Sequence, residues 1–289
     1  MQYHVNGDLV PAEEATVSVA DRGFKYGDAA FETLRAYGGT LFEWEAHRDR
    51  LQETCDTLGM PEAIPDDLRE RVEATLEAND LRDAYVRVSV TRGIQPGALT
   101  PRPEVDPTVV VIVKELPRAG VDGKPRWDGP AVLHTVETRR NHPAAIPPAL
   151  KTHNYLNGIL ARLELRDETG AAEADDALLL DTDGYVAEGT TANVFFVADG
   201  VLHTPSLEGP ILPGVTREVV LELAADRGIP VETGRYRLPR VETSDELFLT
   251  NTTGEVWPVG QLDDREFAVG PVTDRLMDAY DELVEGFYQ

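Results

Sequence analysis

The sequence predicts a mixed α/β (α+β) protein of two domains. A chain of 289 residues is long enough for one large domain or two ordinary ones and can bury a substantial core. Segments of helical and of strand periodicity occur side by side along it. Between them, "PRAGVDGKPRWDG" has the Pro, Gly and charge density of a linker. The reading is therefore an N-terminal domain over 1–118, a linker over 119–129 and a C-terminal domain over 130–289.

In the first third, "HRDRLQETCDTLGM" sets Leu51, Cys55 and Leu58 on one helical face. "DDLRERVEATLEAND" does the same with Leu68, Val72 and Leu76 and stops at Asn79. "YVRVSVT" alternates instead: Val86, Val88 and Val90 share one side, while Tyr85, Arg87, Ser89 and Thr91 share the other. "TVVVIVKEL" (108–116) is apolar enough for a buried strand. Beyond the linker, "AVLHTV", "DALLLD", "NVFFV", "VLHTP" and "ELFLT" read as short strands, several joined by turns such as "TDG" and "ADG". Two helices interrupt them, from about Tyr155 to Arg166 and from about Thr216 to Arg227, the second closed by Gly228.

Composition excludes several functions. The net charge of -25 comes from Asp and Glu scattered along the chain, with no block that suggests an acidic tail. No basic face is visible, which argues against nucleic acid. Only four lysines stand against twenty-three arginines, and with abundant carboxylates this looks like adaptation to high salt, where screening removes self-repulsion. Cys55 is alone, so no intrachain disulfide forms, and neither a Cys/His zinc pattern nor a calcium loop is present. No metal is expected. "MQYHVNGDLVP" is unlike a secretory leader, and no apolar run reaches the roughly eighteen residues of a membrane span. A cytoplasmic protein is the expectation.

Four places could carry chemistry, each with a plainer alternative. In "GPILPGVTREVVLELAADRG", a helix starts near Thr216 and its free N–H groups could face a phosphate, or Thr216 is a simple N-cap. In "FLTNTTGEVWPV", hydroxyls and permissive backbone at a strand end could wrap an oxyanion, or form an ordinary turn. "HRDRL" puts Arg48 and Arg50 at a helix start, where a cation is unfavourable without an anion nearby; the alternative is an exposed arginine. Glu188 in "GYVAEGTTANVFFV" is either a surface turn residue or a buried carboxylate with a cationic partner.

Lys151 links them. Most lysines are solvent-exposed. In a chain that has largely replaced lysine by arginine, however, the survivors are enriched where arginine cannot serve, because guanidinium is never a nucleophile. Burial lowers a lysine's pKa from about 10.4, as imine chemistry requires. A lysine nucleophile, two phosphate cradles, an arginine and a carboxylate able to face a ring nitrogen are together what pyridoxal phosphate requires.

In order along the chain, "DRGFKYGDAAFETLRAY", "HRDRL", "LKTHNYLNG", "VAEGTTANVFFV", "LPGVTR" and "LTNTTGEVWPV" resemble the class IV, fold-type IV pyridoxal-phosphate aminotransferases. That group contains branched-chain aminotransferases, D-amino acid aminotransferases and aminodeoxychorismate lyases. The resemblance implies a smaller N-terminal α/β domain, a larger C-terminal domain around a β-barrel-like sheet, and a homodimer. It makes Lys151 the Schiff-base lysine that also moves a proton between the substrate α-carbon and the cofactor. Glu188 would face the pyridinium nitrogen, and Arg50, Val215, Thr216 and Thr252 would hold the phosphate of pyridoxal 5'-phosphate. Tyr155 would lie near the phenolic oxygen, although branched-chain members usually have one more residue between the lysine and this tyrosine.

For the substrate, "AYVRVSV" resembles the branched-chain pattern at Tyr85 and Arg87, where the tyrosine helps bind the carboxylate. Thr253 and Gly254 would offer it backbone N–H groups. Phe31 and Trp257 would wall an apolar pocket. "VTRGIQPGAL" starts like the D-amino acid enzymes, but their Arg-x-His clamp is here Gly97 and Leu99, so Arg92 or another arginine would have to replace it. "AFETLRAY" and "KTHNYL" are also similar to the lyases, whereas "TNTTGEVWPV" is closer to the transaminases. The expectation is an aminotransferase moving an amino group from an L-branched-chain amino acid to a 2-oxo acid such as 2-oxoglutarate by a ping-pong mechanism. Its rivals are the lyase, the D-amino acid enzyme, and a ligand-binding protein that keeps the fold without needing the lysine or the ring-facing glutamate.

Overall fold

In the computed structural model, which describes residues 1–120, 127–166 and 174–288, the valine alternation of "YVRVSVT" lies within a six-stranded antiparallel sheet. The N-terminal elements are β1 (Gln2–Val5), β2 (Asp8–Pro11), α1 (Arg22–Tyr26), β3 (Ala29–Tyr37), β4 (Thr40–Leu41), α2 (Trp44–Thr57), α3 (Leu68–Ala78), β5 (Ala84–Thr91) and β6 (Thr108–Glu115). The strand order is β2-β1-β6-β5-β3-β4. Register sets Phe31 opposite Ser89 and Thr33 opposite Arg87. Because side chains alternate across a strand, Ala30, Leu34, Val86, Val88 and Val90 then share the other face, where they join a core with Leu51, Cys55, Leu68, Val72 and Leu76 from α2 and α3. The apolar spacing read from the sequence is thus the core-facing stripe of both helices. Burial pushes the Cys55 thiol up to about 12, which leaves it inert. α2 begins at Trp44, earlier than expected, so Arg48 and Arg50 lie inside it and not at its start.

The second set comprises β7 (Ala131–Thr135), α4 (Leu156–Glu164), β8 (Asp176–Leu180), β9 (Val186–Glu188), β10 (Asn193–Ala198), β11 (Val201–Pro205), α5 (Val215–Asp226), β12 (Val231–Gly234), α6 (Leu238–Glu242), β13 (Glu246–Asn251), β14 (Glu255–Leu262), β15 (Arg265–Glu266) and α7 (Pro271–Glu285). Its strands run β12-β11-β10-β13-β14-β7-β8-β9, with β15 on β14. The pairs β14–β7, β7–β8 and β11–β12 are parallel. β9, at one end of this path, also packs against β10 and β11, so the sheet curls back on itself in the barrel-like manner expected. Phe195 and Phe248 stack between neighbouring strands at a 5.0 Å centroid distance. Two helices were expected in this region, and α6 and α7 are additional. The buried Leu276, Ala279, Tyr280 and Val284 of α7 recur at helical spacing, so its signal was present in the sequence.

The chain divides into two compact units, Met1–Gly123 with Leu150–Asn154, and Lys124–Ala149 with Tyr155–Gln289. This departs from a simple cut at 119–129, because the strip around Lys151 belongs to the first unit. Residues 121–126 of the expected linker lie outside the described residues. Among the described residues, no helix is long and apolar enough to cross a membrane.

Leu34 is wholly buried in the first core. Leu34→Ala should therefore cost about 3 kcal/mol of unfolding free energy, seen as a lower urea midpoint at unchanged slope.

Candidate active site

Lys151 is placed by backbone pairing. The strip that carries it lies antiparallel to the start of β3, through a bridge between Ala30 and Thr152. Phe31 N donates to Lys151 O at 2.9 Å and His153 N donates to Ala29 O at 3.1 Å. On its other side, Lys151 N donates to Thr54 Oγ1 of α2 at 3.2 Å. The lysine is half-buried, unlike the exposed surface residue that is the default for its type. Its Nζ lies 4.6 Å from the centroid of the Phe31 ring, and Arg87 Cζ lies 3.8 Å from the same centroid. Two cations thus meet one aromatic side chain, in the cation–π range. The register of β3 and β5 sets Tyr85 on this face as well, and Lys114 Nζ lies 5.9 Å from the centroid of its ring.

His153 completes the group. Its ring is 5.7 Å from that of Phe31, and its Nε2 is 3.1 Å from Ser89 Oγ. Burial, assisted by the Arg87 charge, pushes its imidazole down to about 4.

Arg50 occupies a different face of β3. Its Nε donates to Glu32 Oε1 and its Nη2 to Glu32 Oε2, both at 2.7 Å. His47 Nδ1 lies 2.8 Å from the same Oε2. Glu32 and His47 are each 2% exposed and Arg50 is 8% exposed. Burial alone would raise the Glu32 carboxyl, but the Arg50 charge and the hydrogen bonds from Arg50 and His47 outweigh it and hold it at about 2. Sequence reading missed Glu32 and His47. The available signal was a carboxylate at an otherwise apolar core position of β3.

In the second unit, Glu188 ends β9 in the interior, which removes the surface-turn alternative. Its Oε1 pairs with Arg140 Nη2 at 2.8 Å, and its Oε2 accepts from Leu212 N at 2.9 Å and Asn193 Nδ2 at 3.4 Å. The cationic partner that a buried carboxylate requires is therefore Arg140, a residue that no local pattern singled out. Arg140 is itself steadied by donating Nε to Pro210 O at 3.1 Å and Nη1 to Asn157 Oδ1 at 3.2 Å.

The same segment leads into α5. Its N-cap is Gly214, not Thr216, and no side chain caps the helix; Val215 and Thr216 sit buried in the first turn. A Cβ on Gly214 would come within 2.0 Å of Asn193 Oδ1, so only glycine lets the helix start this close to β10. Gly228, at φ +64°, closes the helix as expected.

At the β13–β14 turn, Asn251 Oδ1 accepts from Thr253 N at 3.0 Å and Gly254 N at 2.6 Å. The two backbone donors expected to serve a substrate carboxylate are thus engaged by Asn251, which closes the turn in the Asx manner. Thr252 follows Asn251 in this turn, and Thr250 Oγ1 is buried with no hydrogen-bond partner among the described residues. Trp257 is half-buried, with its Nε1 donating to Gly129 O at 3.0 Å. Tyr155 is the N-cap of α4 and lines a cavity of about 370 Å³ with Gly158, Ile159, Arg162 and Thr190.

These residues fit pyridoxal 5'-phosphate. An α5 N-terminus with no side-chain cap suits the phosphate. In the second unit the Glu188 carboxylate, paired with Arg140, suits a ring nitrogen, and in the first a half-buried amine suits an aldehyde.

Because the folded-state pKa of His153 lies below its unfolded value, its neutral form supports the fold. Between pH 6.5 and about 4 the unfolded chain takes up a proton that the folded one refuses, so stability falls across that window. His153→Gln should flatten this part of a melting-temperature profile against pH.

Comparison with known proteins agrees with the geometry. The sequence pattern of the family described as amino-transferase class IV matches residues 29–262. A Methanocaldococcus jannaschii protein with a provisional branched-chain-amino-acid aminotransferase name is 39% identical, over 98% of this chain and 96% of its own length. The aminodeoxychorismate lyase of Bacillus subtilis is 32% identical, over 90% of this chain and 86% of its own length. Among solved structures, a T.th. branched-chain amino acid aminotransferase with pyridoxamine 5'-phosphate has a TM-score of 0.88 at 33% identity, covering 99% of this chain and 94% of that one. With Lys151 bridged to β3, Glu188 paired inside and the family pattern spanning both units, the chain belongs to the class IV aminotransferases and is a branched-chain aminotransferase-like enzyme that uses pyridoxal 5'-phosphate.

Proposed function

We propose that this enzyme moves the amino group of an L-branched-chain amino acid to a 2-oxo acid such as 2-oxoglutarate in two half-reactions. The observation that carries the reading is the Phe31 ring, with Lys151 Nζ at 4.6 Å and Arg87 Cζ at 3.8 Å from its centroid. An apolar wall, an amine and a guanidinium side by side match an amino acid with an apolar side chain and an anionic carboxylate. When bound, pyridoxal 5'-phosphate supplies an electron sink for the charge left on the substrate α-carbon.

The remaining work falls to the chain. Lys151 Nζ takes the proton from the substrate α-carbon as general base and, as general acid, would pass it to the cofactor; the second half-reaction runs the transfer in the opposite direction. Arg87 and the Tyr85 hydroxyl hold the substrate carboxylate, while Phe31 and Trp257 exclude water from the side-chain pocket. Arg50, the first-turn N–H groups of Val215 and Thr216, and the Thr252 hydroxyl hold the phosphate. Glu188, paired with Arg140, would face the ring nitrogen, and Tyr155 would lie by the phenolic oxygen. With Asn251 already on the N–H groups of Thr253 and Gly254, these donors serve the substrate carboxylate only by sharing or exchanging that partner.

Gly97 and Leu99 lack the side chains of the D-specific clamp, which supports the L-series. A lyase reading is favoured by one observation, the similarity to the Bacillus subtilis lyase. Supplying aminodeoxychorismate and assaying for pyruvate with 4-aminobenzoate separates it from transamination.

A homodimer is part of the proposal. Leu156, Ile159, Leu160 and Leu163 of α4 are exposed together on a chain of net charge -25, a grouping that suits burial against a second copy.

In a spectroscopic half-reaction panel, L-leucine, L-isoleucine and L-valine should bleach the cofactor absorbance and 2-oxoglutarate should restore it, with the D-enantiomers slower. Preferred use of D-leucine would overturn the substrate assignment. Lys151→Ala should lower turnover by about a thousandfold or more, and wild-type rates from that variant would end the reading. Leu160→Glu with Leu163→Glu should shift the sedimentation profile from dimer to monomer, and an unchanged profile would remove α4 from the interface.

A further inference from the structure

The core-facing row of β3 reads Ala30, Glu32, Leu34, Ala36, with every neighbour of Glu32 in that row apolar and wholly buried. A carboxylate there is out of keeping with the row. Buried ion pairs are weak contributors to stability, since apolar residues of similar volume serve as well or better. A core that gives up an apolar position for Glu32, Arg50 and His47 therefore calls for another reason.

Geometry supplies one. Glu32 grips Arg50 through Nε and Nη2 in two parallel bonds of 2.7 Å, which fixes the plane of the guanidinium and not merely its position. That grip uses the Nε and Nη2 edge of the fork. His47 holds Glu32 Oε2 from another direction at 2.8 Å. Burial is the main cause that keeps its imidazole below the ordinary range, opposed by Glu32 and assisted by the charges of Arg50 and Lys151, so it acts as a neutral ligand to the carboxylate. From α2, Thr54 Oγ1 donates to Arg50 O at 3.0 Å and accepts from Lys151 N at 3.2 Å, which ties the same turn to the lysine strip.

We infer that Glu32 is a positioning residue for the cofactor phosphate: it holds the Arg50 guanidinium in one orientation before the anion arrives. This rests on the reading of Arg50 as a phosphate ligand. A free arginine side chain samples many rotamers, and one already ordered in the free protein does not lose that entropy again on binding. The negative charge of Glu32 works the other way, by weakening attraction for an anion. Orientation outweighs this repulsion.

The test compares pyridoxal 5'-phosphate with pyridoxal, which lacks the phosphate, by absorbance titration of the full-length protein stripped of cofactor with hydroxylamine. Glu32→Gln should weaken pyridoxal 5'-phosphate by about tenfold or more, and pyridoxal by less than about threefold. Equal losses for both, or an unchanged or tighter fit of the phosphorylated form, would overturn the inference. Should Glu32→Gln not accumulate folded, Glu32→Asp, which keeps the charge but retracts the fork, is held to the same selective loss. Arg50→Gln separates the two layers of the argument. Selective loss there with none at Glu32 overturns the positioning role and leaves the phosphate reading standing; no selective loss at Arg50 removes the phosphate reading and this inference with it.

Discussion

The antiparallel bridge between the Lys151 strip and the start of β3 is the constraint on which the first unit's chemistry depends. Two backbone hydrogen bonds, Phe31 N to Lys151 O and His153 N to Ala29 O, set the register. Backbone pairing of this kind fixes which side chains share a face, since a slip of one residue would send each to the opposite side. It is this register that brings Lys151, Phe31 and His153 together, and the pairing of β3 with β5 that adds Arg87 and Ser89. The lysine's place is thus decided by main-chain geometry, and its side chain needs no bond of its own to arrive there.

Both units keep a glutamate in the interior by the same means, with different partners. Glu32 has Arg50 and His47, and Glu188 has Arg140, Leu212 N and Asn193. An ionised carboxylate withdrawn from water is tolerated only when charge and hydrogen bonds replace its hydration. Each therefore organises its surroundings. Glu32 orders a turn of α2, and Glu188 with Asn193 ties the segment before α5 to β9 and β10.

The chain's acidity and its site chemistry are separate matters. Most of the charge of -25 is spread along the sequence, where the carboxylates that matter to the site are indistinguishable from the rest. Burial distinguishes them. The same holds for arginine: Arg50 and Arg140 are held by interior carboxylates, whereas Arg69 and Arg71 pair with nearby acids along the exposed side of α3. Exposed pairs of that kind contribute little to stability.

The sequence by itself determined whatever is local in the chain. The alternation of β5, the apolar stripes of α2 and α3, the glycine that ends α5 and the unusual survival of Lys151 follow from periodicity, propensity and the chemistry of single residues, which need no distant partner. The ordered segments that resemble the class IV family were likewise visible without coordinates. Only the tertiary structure decided which residues meet. Arg140 and Glu188 are far apart in the chain, as are Phe31 and Lys151, and no local pattern marks such pairs. It also moved the N-cap of α5 from Thr216 to Gly214, because the close approach of Asn193 leaves no room for a side chain there. It placed Arg50 inside a helix rather than at its start, and assigned the Thr253 and Gly254 N–H groups to Asn251. These are matters of packing and of polar groups finding partners across the fold, and long-range pairing of that kind is not encoded at any one position of the chain.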